Sequence, residues 1–179
     1  RSNAQLLICG NGGSAMDATH MAAELAKSYL LRRKPDRQFA SMIGNGVPGP
    51  NPTILHKLTQ AVAAHSLTTN TALLTSISND MDAELLFAQQ VMAYGRPGDV
   101  LFGISTSGTS MNVVRAFQTA RLRGLKSICL TGQTTPTWLK ELVHLMISVP
   151  AGATPRIQEL HLPVYHLLCE MVESELFDE

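Results

Sequence analysis

The chain has 179 residues, 45% of them hydrophobic and only 16% charged, which suits one domain with a substantial core. Fourteen Lys and Arg balance fourteen Asp and Glu, so the composition carries no footprint of a nucleic-acid or anionic-membrane binder. No apolar run approaches membrane-spanning length, and no signal peptide is expected ahead of Leu6. Cys9, Cys129 and Cys169, odd in number and set in apolar runs, read as reduced core thiols of a cytoplasmic protein. So low a share of charge leans toward an oligomer, whose interfaces cover apolar helix faces.

Leu6-Leu7-Ile8-Cys9 is an apolar run too short for a helix and reads as a buried strand. Gly10-Asn11-Gly12-Gly13-Ser14 follows, with glycines that permit a tight turn close to a ligand and Ser14 where an N-cap belongs. The helix it would cap, Ala15–Leu31, is apolar almost all round, as in a helix buried on more than one side. Strand, glycine turn and helix N-terminus together make an anion cradle, because free N–H groups and the helix dipole aim at one spot. Arg32-Arg33-Lys34-Pro35-Asp36 reads as a solvated basic turn, Phe39–Ile43 as the second strand, and Gly44–Pro52 as a loop. Ile54–Leu67 has the spacing of an amphipathic helix, Leu73–Ile77 leads to Ser78-Asn79-Asp80, and Ala83–Tyr94 reads as a helix stopped by Gly95-Arg96-Pro97-Gly98.

Asp99–Ile104 is a clear strand, followed by Ser105-Thr106-Ser107-Gly108-Thr109-Ser110 and a helix over Met111–Arg123 closed by Gly124. Lys126–Leu130 is a strand, Pro136–Leu142 a helix and His144–Val149 the last strand; Pro155–Phe177 is the final helix, with Pro163 inside it. This alternation predicts an α/β fold, a three-layer α/β/α sandwich with a five-stranded parallel sheet, whose ligands bind beyond the C-terminal strand ends. Gly10–Ser14 and Ser105–Ser110 both fall there.

Gly10-x-Gly12-x-x-Ala15 fits the loose dinucleotide fingerprint, but Asp36 precedes the expected second strand where an acid should follow it. The hydroxyl loop says more: five Ser and Thr within six residues can saturate phosphate oxygens without Lys or Arg, although such a loop alone also reads as a helix-capping turn. His20 and Glu24 share a helix face, either as a surface pair or as a base or metal ligand. On the final helix Gln158 and His166, offset by about 80°, can flank one point. His161 is a competing ligand candidate, and His56, His65 and His144 stand in no motif.

Cys9-Gly10-Asn11-Gly12-Gly13-Ser14, His20-x-x-x-Glu24, Asn79-Asp80, Gly103-Ile104-Ser105-Thr106-Ser107-Gly108-x-Ser110, Leu130-Thr131-Gly132 and Arg156-Ile157-Gln158-Glu159 together resemble the sugar isomerase (SIS) family, and within it the phosphoheptose isomerases. The resemblance implies a SIS, flavodoxin-like fold in one domain over residues 1–179. It implies one zinc held by His20, Glu24, Gln158 and His166, with Glu24 as base and His166 as acid. Phosphate would lie on Ser105, Thr106, Ser107 and Ser110, and the sugar on Asn11, Gly12, Gly13, Ser14, Glu24, Asn79, Asp80 and Gln158. The implied reaction converts sedoheptulose 7-phosphate to glycero-manno-heptose 7-phosphate for lipopolysaccharide heptose biosynthesis, in a homotetramer or homodimer with active sites near subunit interfaces. The alternative is a non-catalytic SIS module, a phosphosugar sensor or a replication-initiator-associating protein. The chain departs from the family pattern in lacking a helical extension before Leu6 and in an apparent insertion at about Gly44–His65. It also has Ser28 in place of an arginine and Pro155 in place of an aspartate.

Overall fold

The structure, a computed structural model, describes residues 4–44 and 46–178, so that Asn45 of the expected Gly44–Pro52 loop lies outside it. Five strands, β1 (Leu6–Gly10), β2 (Ala64–Ser66), β3 (Val100–Ile104), β4 (Lys126–Thr131) and β5 (Leu145–Ser148), form one parallel sheet in the order β2-β1-β3-β4-β5. Seven α-helices accompany it: α1 (Gly13–Leu25), α2 (Arg37–Gly44), α3 (Thr71–Asp80), α4 (Ala88–Tyr94), α5 (Met111–Leu122), α6 (Thr137–Leu142) and α7 (Thr154–Phe177).

Successive strand residues feed opposite faces, as the pleat requires. Leu7, Cys9, Leu101 and Cys129 pack beneath Phe87, Val91, Phe117 and Leu139 from the α4–α6 side. Ile8, Phe102, Ile104 and Leu130 pack against Ala18, Met21 and Leu25 of α1 and Ile157, Tyr165 and Cys169 of α7. The expected three-layer architecture is therefore present, with α1 and α7 paired on one face. The three cysteines are free and buried, and among the described residues no helix is long and apolar enough to cross a membrane.

Five local readings are corrected. Phe39–Ile43 lies in helix α2, because Asp36 Oδ1 accepts from the Phe39 amide at 2.8 Å and opens a helical turn. Ile54–Leu67 is no helix; it holds a 3₁₀ turn at Pro52–Lys57 and then the second strand itself, β2, paired with Leu6–Ile8 of β1. Helix α1 begins two residues earlier than expected, with Gly12 at its N-cap at φ 54° and Ser14 buried inside the first turn.

Helix α1 also stops at Leu25 instead of Leu31, and the cause lies 140 residues away. The amides of Tyr29, Leu30 and Leu31 donate to the Glu173 carboxylate at 2.8, 2.6 and 2.8 Å. Arg33, expected in solvent, is buried: its Nε donates to Glu173 at 2.6 Å, its Nη1 to the Leu25 carbonyl at 2.9 Å, and its guanidinium lies 4.7 Å from the Phe177 ring centre.

Burial alone would push the Glu173 carboxyl up, but the three amides and Arg33 outweigh it and hold it at about 2. Glu173→Gln strips a buried guanidinium of its counter-charge, and urea unfolding at pH 7 is expected to show a loss of about 3–5 kcal/mol. Because the folded-state pKa is depressed, the stabilisation is complete above the ordinary value of 4.5 and fades as pH falls toward about 2. Wild type and variant should converge over that interval.

Candidate active site

Three loops meet at the C-terminal ends of β1, β3 and β4. After β1 the chain turns so tightly that a Cβ on Gly10 would lie 2.6 Å from the Ser14 carbonyl oxygen. The Asn11 side chain then pairs both ways with Asn112 in the first turn of α5, at 2.8 and 2.9 Å, tying the glycine turn to the hydroxyl loop. In that loop Ser105 Oγ donates to Ser110 Oγ at 3.2 Å and accepts from the Gly108 amide at 3.2 Å, while Ser107 and Thr109 share a hydrogen bond of 2.8 Å. Gly132 closes the floor through its amide, which donates to the Thr106 carbonyl at 3.1 Å. Hydroxyls, amides and the N-termini of α1 and α5 thus gather at one edge of the sheet, a chemistry suited to an anion.

The second part of the site lies between α1 and α7. His20 Nε2 is 3.2 Å from Glu24 Oε1, and His20 Nδ1 is 2.9 Å from the Tyr165 hydroxyl. The His166 ring stands edge-on to that of His20, with centres 5.1 Å apart, so α7 of the same chain brings the two histidines together. Tyr165 and Tyr29 flank His166 at 4.9 and 5.9 Å. Glu24 Oε2 accepts from Lys27 Nζ at 2.7 Å, and that bond above all keeps the carboxyl below its ordinary value. Gln158, two turns before His166, rests on the glycine turn, where a Cβ on Gly13 would lie 2.6 Å from its Nε2.

The structure therefore joins His20, Glu24 and His166, and sets Gln158 on Gly13. It does not join Asn79 and Asp80 to them: these are exposed at the end of α3 and bond to each other at 2.8 Å. His161 faces inward, fully buried beside the Thr131 backbone, and its pKa is pushed down by that burial. Sequence reasoning missed Tyr29, Lys27, Asn112 and Tyr165. The signal for Tyr165 was its place beside His166; for Asn112 it was an amide in the first turn after a hydroxyl loop.

Among the described residues no three His, Cys, Asp or Glu side chains stand as a metal-holding group. The donors nevertheless fit a zinc ion: two imidazoles, a carboxylate and an amide lie on two packed helices. His166 Nε2 is buried without a hydrogen-bond partner, an atom such an ion would satisfy.

The chain is similar to known proteins over nearly its whole length. The SIS domain profile matches residues 53–132. The phosphoheptose isomerase of Roseiflexus sp. (strain RS-1) is 42% identical over 179 residues, covering 100% of this chain and 77% of its own length. That of Rhodospirillum rubrum is 42% identical over 176 residues, covering 98% and 79%. The structure of phosphoheptose isomerase GmhA from Neisseria gonorrhoeae superposes with a TM-score of 0.74 at 36% identity, over 96% of this chain and 77% of that one.

Gly13 offers a direct test of the cradle. It is a helical residue, and the nearest obstacle to a Cβ is the flexible end of Gln158. Gly13→Ala is expected to keep or raise stability by up to about 1 kcal/mol. By evicting the Gln158 amide it should weaken sugar-phosphate binding about tenfold or more, as read by calorimetry beside thermal unfolding.

Proposed function

The chain belongs to the phosphoheptose isomerase family of SIS-domain proteins and is a phosphosugar isomerase, an enzyme that interconverts an aldose and a ketose; from that premise we propose that it converts sedoheptulose 7-phosphate to glycero-manno-heptose 7-phosphate. One observation carries the reading. Helix α1 starts in the anion cradle at Gly13 and bears Glu24 eleven residues on, about 16 Å along its axis, beside His20, whose ring the His166 ring meets. That span suits an extended seven-carbon chain with phosphate at one end and the reacting carbons at the other.

Ser105, Thr106, Ser107 and Ser110 hold the phosphate, and Asn11, Gly12, Gly13, Ser14 and Gln158 line the sugar. Glu24, kept ionised by Lys27, removes a proton from C1 of the ketose. The electron pair of that C–H bond becomes the C1–C2 double bond of an enediol, and the carbonyl oxygen on C2 takes its proton from His166. Return of a proton from Glu24 to C2, with the O1 proton passing to the His166 that protonated O2, yields the aldose and restores both side chains. Zinc bound by His20, Glu24, Gln158 and His166 would supply Lewis-acid polarisation of the carbonyl.

The exposed Met16 of α1 and Leu162, Leu167 and Met171 of α7 support a homotetramer or homodimer with sites near the subunit interfaces. In such an assembly Asn79 and Asp80 would contact the sugar from a neighbouring copy. The buried, unpaired thiols suit a cytoplasmic location.

Glu24→Gln keeps the shape of the side chain and removes the base. Turnover is expected to fall by about 10²–10⁴ while sedoheptulose 7-phosphate still binds. Proton exchange at C1 in deuterated water, followed by NMR, should vanish; exchange at the wild-type rate would remove Glu24 from its role. Joint replacement of Ser105, Ser107 and Ser110 by alanine should abolish measurable substrate binding, and unchanged binding would displace the phosphate from that loop.

A further inference from the structure

We propose that Tyr165 is a positioning residue of this site, whose hydroxyl holds the His20 ring so that Nε2 is the nitrogen presented toward Glu24 and any bound cation. Tyr165 is 1% exposed and sits in the core cluster with Ile8, Met21 and Leu25, yet its hydroxyl leaves that core for one atom, His20 Nδ1, at 2.9 Å. Its ring is edge-on to both histidines, 5.6 Å from His20 and 4.9 Å from His166. One rigid side chain thus touches both imidazoles.

The chemistry of a phenol suits this task better than other hydrogen-bonding groups. With the His20 proton on Nε2, shared with Glu24, the hydroxyl donates to Nδ1. With the proton on Nδ1, the hydroxyl accepts, and the Nε2 lone pair is free for a cation. A carboxylate could only accept and would hold one tautomer. Tyr165 therefore commits Nδ1 in both states and lets Nε2 change partners without the ring turning, the support that a ligating histidine draws from a partner on its other nitrogen.

The proposal rests on His20 serving the isomerase site, and Tyr165→Phe tests it with packing preserved. Long-range proton–nitrogen spectra of the unliganded protein are expected to show the His20 Nδ1 resonance moving in the variant, because that nitrogen loses its hydrogen-bond partner. Titration with zinc alone against a chromophoric chelator should show about 10–100-fold weaker binding. In a His20→Ala background the same substitution should change zinc affinity no further, because its only route is through His20. A His20 spectrum unchanged by Tyr165→Phe, or an equal loss of zinc affinity with and without His20, would overturn the proposal. Neither measurement needs the sugar, so a wild-type protein that fails to turn over sedoheptulose 7-phosphate while the His20 spectrum responds would overturn the substrate reading and support the positioning role.

Discussion

Glu173 accepts from three successive backbone amides and a buried guanidinium, and the reacting end of the site depends on that contact. Residues 26–31 have the composition to continue helix α1, and their amides would then bond four residues back. The carboxylate takes three of them instead, ends the helix and turns the chain onto α7. Tyr29 is thereby set beside His166, and Arg33 against Phe177. A buried ion pair gains little over apolar packing in free energy, since both charges give up water. What it adds here is a fixed register between α1 and α7, the two helices that carry His20, Glu24, Gln158 and His166.

The site divides its work between two kinds of structure. Loops at the sheet edge offer neutral donors and the positive ends of α1 and α5, enough for an anion without a single Lys or Arg in the cradle. The helices carry the titratable groups: His20 and Glu24 lie six and ten residues past Ser14, and His166 twelve past the start of α7. On the proposed reading, proton chemistry is kept apart from anion binding, and the cradle needs no cation that would disturb the Glu24 carboxylate. The cation that does reach Glu24, Lys27, belongs to the segment just past the end of α1.

Much of this was legible in the sequence, for physical reasons. Strands β1, β3 and β4 are apolar runs that end in glycine or hydroxyl loops, so their type and the site at their ends could be read directly. Strand β2 could not: Ala64-His65-Ser66 is a three-residue edge with no apolar run, and the helical spacing of Ile54 and Leu58 belongs to residues half exposed. The end of α1 and the burial of Arg33 are set by a carboxylate 140 residues on, which no local pattern reveals. Tyr165 lies in the core, and its neighbours in sequence do not say what its hydroxyl meets; only the pairing of α1 with α7 shows where that hydroxyl goes.

Strand β2 reaches its place after a long excursion that closes on itself. The Gln60 amide donates to the Arg33 carbonyl at 3.1 Å, and the Val62 amide to Leu25 at 3.0 Å, so the chain between leaves and returns at one stem. The entropy of closing such a loop grows only with the logarithm of its length, about 0.6 kcal/mol for each doubling. Chain length between Lys34 and Thr59 is therefore almost without thermodynamic consequence for the sheet. This is where the fold can lengthen, shorten or take in a foreign domain while β1, α1 and the site keep their positions.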